Sequence, residues 1–101
     1  MAKVRWTDQA IDDIENIAEY ISKDSLTFAG IQTERFFERA KILESQPLTG
    51  RVVPELNDPS TRELVMSNYR IIYHMDSNDI ITILTVHHSQ RLLTNNPAFE
   101  K

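Results

Sequence analysis

Arginine is the residue type in this chain with the clearest potential for chemistry, and four arginines lie in its second half. They are Arg51, Arg62, Arg70 and Arg91. A planar guanidinium donates two parallel hydrogen bonds, so it is suited to binding a phosphate or a carboxylate. Arg70 lies mid-strand between apolar neighbours, which favours a functional role. For the other three, pairing with Glu55 or Glu63, or simple solvation, is the favoured interpretation.

The adjacent pair His87 and His88 suggests a metal site at first sight, but the sequence argues against one. Neighbouring residues of a strand point to opposite faces, so a single ion cannot readily bind both side chains. The sequence also lacks cysteine and the His-Glu-x-x-His spacing of a zinc site. One histidine could act as a general acid or base, although a structural role is favoured for each. We therefore expect no metal.

Glu55 follows the segment Gly-Arg-Val-Val-Pro in a predicted loop. A carboxylate that faces an arginine and a histidine could act as a general base toward a ribose hydroxyl. An isolated loop glutamate is more often solvated, and that interpretation is favoured. Tyr69 and Tyr73 share a predicted strand face with Ile71, so we expect them to pack in the core.

Composition places the chain among ordinary globular proteins. Its 101 residues suit a single domain over 1–101, with 41% hydrophobic and 26% charged residues. It has no apolar run of about 18 residues and no apolar signal segment at its N-terminus, so we expect neither a membrane span nor a leader. Together with the absence of cysteine, this predicts a cytoplasmic protein.

Charge and glycine content exclude two further classes of site. The net charge is −4, which argues against strong non-specific binding to nucleic acid, because that binding requires many neutralised phosphates. A local basic pocket in the second half remains compatible with this charge. Gly30 and Gly50 are the only glycines, so the chain has no glycine-rich phosphate loop, and we expect no cofactor.

Hydrophobic periodicity predicts an α+β fold with a helix hairpin packed on one face of a mainly antiparallel sheet. The other face would carry the function. The predicted elements are a strand at 2–6, helices at 8–23 and 26–45, a loop at 47–61, and a meander of strands at 62–66, 69–75 and 80–88. Residues 92–101 read as a mobile tail, with Leu92, Leu93 and Phe99 able to dock on the body or on a partner.

Strand alternation assigns side chains to the two faces of the sheet. In the strand at 69–75, Arg70 shares a face with Ile72 and lies opposite Tyr73. In the strand at 80–88, simple alternation divides the side chains into two sets. Ile80, Thr82, Leu84, Val86 and His88 form one set, and Ile81, Ile83, Thr85 and His87 form the other. We expect Arg70 to lie on the uncovered face.

Several stretches of the chain together resemble the RelE/ParE superfamily of toxins from bacterial type II toxin–antitoxin pairs. The resemblance extends over about residues 4–92, and its order and spacing are more specific than any single piece. The stretches are Trp6-Thr7 with Ala10, Asp13-Ile14, Ile17 and Tyr20-Ile21; Leu43, Pro47 and Gly50 to Glu55; Arg62-Glu63-Leu64; Tyr69 to Tyr73; and Val86-His87-His88 with Arg91. The fold of this superfamily has the same element order as the one predicted above.

The resemblance implies two alternative activities. RelE-like members are ribosome-dependent endoribonucleases that cut mRNA. By this resemblance Arg70 would stabilise the phosphate, Glu55 would be the base, and His88 or His87 the acid. ParE-like members inhibit DNA gyrase and lack that set. The pattern around residues 62–88 is closer to ParE, and the acidic balance and the absence of lysine from 42 to 100 fit poorly with ribosome docking.

The resemblance also implies a protein partner. A cognate antitoxin would cover the apolar, arginine-bearing surface of the sheet by adding a helix or a strand, and the pair could assemble as a heterotetramer. The residues expected to contact the antitoxin or the target are Arg51, Arg62, Arg70, His87 and Arg91. The target would be gyrase, or in the alternative the ribosome and its mRNA.

Overall fold

A five-stranded sheet with two helices on one face forms the body of the protein. The structure is a computed structural model that describes residues 1–99. Its strands are β1 (Lys3–Trp6), β2 (Arg51–Val52), β3 (Thr61–Met66), β4 (Tyr69–Met75) and β5 (Ile80–His88), and its helices are α1 (Asp8–Ser22) and α2 (Leu26–Lys41). Short 3-10 turns follow at Ile42–Glu44, Leu93–Asn95 and Pro97–Phe99.

The strand order across the sheet is β1-β5-β4-β3-β2. β5 therefore lies inside the sheet, parallel to β1 and antiparallel to β4. The α+β prediction and its three-stranded meander are confirmed. β2 is an additional two-residue strand that pairs with β3 inside the predicted loop. A strand this short has no periodicity from which it could be predicted.

Side-chain caps begin both helices where the sequence predicts them to begin. The Thr7 hydroxyl accepts the backbone N–H of Ala10 at 3.1 Å, and the Ser25 hydroxyl accepts that of Phe28 at 3.0 Å. Each bond satisfies one of the backbone donors that a helix N-terminus leaves free. The two helices lie against each other as the predicted hairpin.

The main core lies between the helices and the sheet. α1 contributes Ala10 and Ile14, and α2 contributes Phe36 and Ala40, all of them buried. They pack against apolar side chains of β3, β4 and β5. That set is Leu64, Ile71, Tyr73, Ile81, Ile83 and Val86. Burial of this set stabilises the fold by roughly 1.5–3 kcal/mol for each large side chain.

A β-bulge interrupts the alternation of β5. Ile72 pairs with Thr85 and Tyr73 with Ile83, so Leu84 is one extra residue on β5. Val86 consequently packs in the main core with Ile83. The simple alternation predicted for β5 is therefore wrong beyond Ile83, because the extra residue exchanges the two faces.

The segment after β5 covers part of the sheet face opposite the helices. Leu93 is buried and Phe99 half-buried in a second apolar cluster with Val53 and Ile72. Docking of these two side chains agrees with one expectation for the tail, while Leu92 is exposed. Glu100 and Lys101, the end of the predicted mobile tail, lie outside the described residues.

The sheet face that carries Arg70 is partly covered. The expectation that this face is uncovered is wrong: Arg70 is a buried residue, and so are its neighbours Glu63 and His87.

Within the described residues no helix has the length and apolar character needed to cross a membrane.

Candidate functional site

Arg70 is the centre of an ion-pair cluster on the sheet face opposite the helices. Its Nε donates to Glu63 Oε1 at 2.6 Å, and its two terminal nitrogens donate to the two oxygens of Glu55 at 2.7 Å each. The pairing with Glu55 is the parallel, bidentate arrangement that a guanidinium and a carboxylate favour. With 9% of its side chain exposed, Arg70 has its charged nitrogens engaged within the protein.

Glu63 joins this cluster to a second arginine. Its other oxygen, Oε2, accepts the Nε–H of Arg51 at 2.6 Å. Glu63 is 1% exposed, whereas the Arg51 side chain is 62% exposed. The four side chains form the series Arg51–Glu63–Arg70–Glu55, which we call the ion-pair ladder. Its charges alternate and sum to zero.

The ladder fixes the protonation of Glu55. The hydrogen bond from Arg70 lowers the pKa of Glu55 from 4.5 to about 2, against a smaller opposing effect of desolvation. The same hydrogen bond is the largest cause that raises the pKa of Arg70. Near neutral pH Glu55 is therefore an ionised acceptor whose oxygens are both occupied.

His87 lies on the same face as Arg70 and is its cross-strand partner. Its Nε2 is 2.9 Å from the backbone oxygen of Arg91. Because a carbonyl oxygen only accepts, Nε2 carries the hydrogen, and Nδ1 then accepts from Asn96 Nδ2 at 2.9 Å. Both ring nitrogens of His87 thus have a partner, which matches the structural role favoured from the sequence.

Asn96 holds the C-terminal segment to β5. Its amide nitrogen donates both to His87 Nδ1 and, at 3.0 Å, to Thr85 Oγ1. Its oxygen accepts the backbone N–H of Ala98 at 2.9 Å. The Thr85 hydroxyl in turn donates to Asp13 Oδ2 on α1. A continuous chain of buried or half-buried hydrogen bonds therefore links α1, β5 and the final segment.

His88 lies on the opposite face of the sheet from Arg70. Its ring meets that of Tyr69 edge to face, with centroids 5.5 Å apart. Tyr69 and His88 line one side of a cleft of about 460 Å³, with Arg91 nearby and Tyr20 of α1 on the other side. The structure therefore brings Glu55 and Arg70 together and places His88 on the other side of the sheet.

Arg62 has a local structural role. Its Nε donates to the backbone oxygen of Pro59 at 3.2 Å and its Nη1 to that of Gly50 at 3.0 Å. Pro59 lies in the loop between β2 and β3, and Gly50 directly precedes β2, so Arg62 ties the chain on both sides of β2 to β3. The five arginine and histidine side chains predicted as contacts thus differ in availability: Arg51 and Arg91 are exposed, and the other three are partly or fully buried.

Comparison with known protein families assigns the chain to one of them. The family described as the ParE toxin of the type II toxin–antitoxin system parDE matches residues 4–93, which is most of the sequence. The chain belongs to the ParE toxin family. This match confirms the RelE/ParE superfamily resemblance.

Two solved structures share the fold of this chain. A chain of the chromosomal ParDE toxin–antitoxin system from P. aeruginosa superposes with a TM-score of 0.74 at 20% identity, covering 89% of this chain and 98% of that one. A chain of the RelBE2 toxin–antitoxin complex from Mycobacterium tuberculosis gives a TM-score of 0.62 at 23% identity, covering 86% and 96%. A comparison with curated proteins gave no match.

Two polar residues of this ParE-family chain were not predicted as part of the site. The sequence indicates Glu63 as a structural partner for arginine and as part of the superfamily resemblance, and it indicates no role for Asn96. Strand parity could have placed Glu63 on the face of Arg70, since Glu63 pairs with Ile72, two residues from Arg70. Nothing in the sequence signals that Asn96 returns to β5. No group of three or more histidine, aspartate or glutamate side chains within residues 1–99 is arranged to hold a metal.

Proposed function

We propose that this ParE-family toxin arrests growth by inhibiting DNA gyrase and does not cleave mRNA. The observation that supports the proposal is that every side chain of the nuclease-like set is already engaged within the fold. Arg70 and Glu55 neutralise each other on one face of the sheet, and His88 packs against Tyr69 on the other. His87 shares the face of Arg70, but both of its ring nitrogens are hydrogen-bonded, to the backbone oxygen of Arg91 and to Asn96. Family membership supplies the positive argument for gyrase, and the geometry supplies the argument against the alternative.

A general base must be able to reach and accept a proton from the attacking hydroxyl. Both oxygens of Glu55 already accept hydrogen bonds from Arg70, and its pKa of about 2 makes it a weak base near neutral pH. A phosphate would have to displace Glu55 before Arg70 could bind it. The ladder therefore opposes two of the three roles that a RelE-like mechanism requires.

Electrostatics argue in the same direction. The chain carries a net charge of −4 and has no lysine between 42 and 100. A nuclease that works in the ribosome must approach a dense array of phosphates, for which basic side chains supply most of the attraction.

Of the predicted contact residues, we assign the target or antitoxin contact to the exposed Arg51 and Arg91.

A cognate antitoxin is the second part of the proposal. The two similar structures come from toxin–antitoxin systems, so we expect an antitoxin reading frame beside this gene. The toxin would act in the cytoplasm, where gyrase and its DNA substrate are found. Co-expression with the neighbouring protein should restore growth that the toxin alone arrests.

The test uses purified toxin released from its antitoxin. With gyrase, ATP and relaxed plasmid, the toxin should abolish supercoiling in proportion to its concentration, while mRNA on programmed ribosomes stays intact. His88→Gln and Glu55→Gln should keep full gyrase inhibition, because neither side chain has a catalytic role in this proposal. Codon-positioned mRNA cuts that disappear with Glu55→Gln, together with unaffected gyrase, would establish the nuclease instead.

A further inference from the structure

The cleft between α1, the start of β4 and the end of β5 has the size of a small-molecule site. Its volume of about 460 Å³ lies within the range of about 300–1,000 Å³ that is typical of such sites. One wall is a single face of α1, because its lining residues are three or four positions apart. They are Asp13, Asn16, Ile17 and Tyr20. The sheet and the residues after it supply the other lining side chains, Tyr69, Val86, His88 and Arg91.

Aromatic and apolar side chains form much of this lining. The rings of Tyr69 and His88 meet edge to face with centroids 5.5 Å apart, and Tyr20 of α1 is 72% exposed. Ile17 is half-buried and Val86 buried, so they add apolar surface next to the main core. Aromatic rings attract other flat rings by offset stacking or edge-to-face contact. The lining therefore suits a ligand with a flat apolar body.

The acidic residue of the cleft has little capacity left for a ligand. Within residues 1–99, Asp13 is the only acidic side chain that lines the cleft. Its Oδ2 accepts hydrogen bonds from the Thr85 hydroxyl and, at 3.0 Å, from the backbone N–H of Val86. Its Oδ1 accepts from Gln9 Nε2 at 2.8 Å. Because both oxygens are engaged, the cleft is poorly suited to a cationic ligand.

Hydrogen-bond donors of the cleft, in contrast, are available to a ligand. Nδ1 of His88 accepts the backbone N–H of Gln90 at 3.2 Å, so in the neutral ring Nε2 carries the hydrogen and can donate it. The exposed Arg91 forms no salt bridge with any residue of 1–99. A guanidinium binds a phosphate or a carboxylate through two parallel hydrogen bonds. The balance of donors and acceptors in the cleft therefore favours an anionic group.

We propose that this cleft binds a small aromatic anion, a flat ring that carries one phosphate or carboxylate group. The ring would lie among Tyr20, Tyr69 and His88, and the anionic group would pair with Arg91. Arg91 is available for this role because it is exposed, whereas the guanidinium of Arg70 is already paired with two carboxylates. The inference goes beyond the proposed function and holds whichever target the toxin has.

Amide NMR titrations of the full-length chain with three probes test the chemistry of the ligand. Naphthyl phosphate has the ring and the charge, naphthol has only the ring, and inorganic phosphate has only the charge. Naphthyl phosphate should bind at least tenfold more tightly than either of the others, because hydrogen bonds to a charged group add to the ring contacts. It should shift the amide signals of Ile17, Val86 and His88. A parallel titration with naphthoate distinguishes phosphate from carboxylate as the preferred anion.

Two substitutions separate the contributions of charge and ring. Arg91→Ala should weaken naphthyl phosphate binding at least tenfold and change naphthol binding less than twofold, because only the anionic group pairs with Arg91. Tyr20→Ala should weaken the binding of both aromatic probes. Arg35→Ala is the matched control and should change neither affinity, because Arg35 is an exposed arginine of α2 outside the cleft. Circular dichroism melts establish that each variant is folded.

Two results would overturn the inference. In the first, Arg91→Ala binds naphthyl phosphate as tightly as wild type, or the shifted amides lie outside the cleft. In the second, naphthylmethylamine, a cation with the same ring, binds as tightly as naphthyl phosphate. Neither result bears on gyrase inhibition, which is measured separately, so failure of this inference and failure of the proposed function are distinguishable.

Discussion

Arg70 and Glu55 are joined by two parallel hydrogen bonds of 2.7 Å, from Nη1 to Oε2 and from Nη2 to Oε1. The pair connects β4 to the loop between β2 and β3 and uses the full fork of the guanidinium. The sequence suggests Arg70 as a phosphate ligand. In the structure its guanidinium pairs with Glu55 instead and holds the fold together. The stability of the protein should therefore depend on the members of the ladder in proportion to their burial.

Removing Glu63 should destabilise the protein more than removing Glu55. Glu63 is buried and holds both Arg51 and Arg70, so Glu63→Ala leaves the buried Arg70 guanidinium with one partner fewer. Removing one member of a buried pair typically costs about 3–5 kcal/mol. Glu55 is 44% exposed, so Glu55→Ala should cost about 1 kcal/mol. Urea denaturation of the two variants measures the difference in unfolding free energy. Equal losses would contradict the larger structural role that we assign to Glu63 within the ladder.

The contribution of Glu55 should depend on pH in a defined window. The pKa of Glu55 is lowered from 4.5 to about 2 in the folded protein. A lowered pKa means that the contribution is complete above about pH 4.5 and is lost as the pH falls toward 2. Wild type should therefore exceed Glu55→Gln in unfolding free energy near neutral pH, and the two should converge at low pH. A difference independent of pH over this range would be inconsistent with the ion pair.

Alanine at the two glycines should change stability in opposite directions. A Cβ at Gly50 would lie 2.6 Å from the hydroxyl of Tyr73 and 2.7 Å from the backbone oxygen of Glu63. This clash should make Gly50→Ala destabilising by about 1–3 kcal/mol. Gly30→Ala meets open space and should stabilise by about 1 kcal/mol. Thermal melts of both variants check the signs.

The tight fit at Gly50 has a hydrogen-bonding counterpart. The Tyr73 hydroxyl accepts the backbone N–H of Gly50 at 3.0 Å and donates to the backbone oxygen of Pro47 at 2.8 Å. Burial raises the pKa of the Tyr73 phenol, so it remains protonated and able to donate. If Gly50→Ala were neutral, the close approach of Tyr73 to this turn would not be required by the fold.

Asn96 should control how firmly the C-terminal segment is docked. Asn96→Ala removes the hydrogen bonds to Thr85 and His87, which together should cost about 1–3 kcal/mol of docking free energy. Hydrogen exchange at backbone amides of residues 93–99 should accelerate, while exchange in β4 stays slow. Asn95→Ala is the control, because Asn95 is exposed. Unchanged exchange in Asn96→Ala would show that the apolar contacts of Leu93 suffice.

Much of the fold follows from regular patterns in the sequence. The 3.6-residue spacing of Ala10, Ile14 and Ile17 gives α1, and alternation around Ile71 gives β4 with Arg70 on the face opposite Tyr73. These predictions succeed because they depend on local periodicity and on the burial of apolar side chains. The strands β1, β3, β4 and β5 were all found in this way.

The remainder depends on contacts that periodicity does not encode. Burial of Glu63 runs against the usual exposure of a charged residue, and it is stabilised by two arginines that come from different strands. The docking of Leu93 and Asn96 depends on where the chain returns after β5. Arg70 is held by Glu63 on β3 and by Glu55 in the preceding loop, so its low exposure could not be predicted from β4 alone.

The bulge at Leu84 divides β5 into two halves that are out of phase with each other. The first half gives Ile81 and Ile83 to the helices, and the second half gives Val86 and His88 to the same side. Without the extra residue, Thr85 and His87 would take the places of Val86 and His88 on the sheet face that packs against the main core. Deleting Leu84 would therefore shift the alternation of the second half of β5 by one residue. His87 and His88 would exchange surroundings, although every other residue of the sequence would be unchanged.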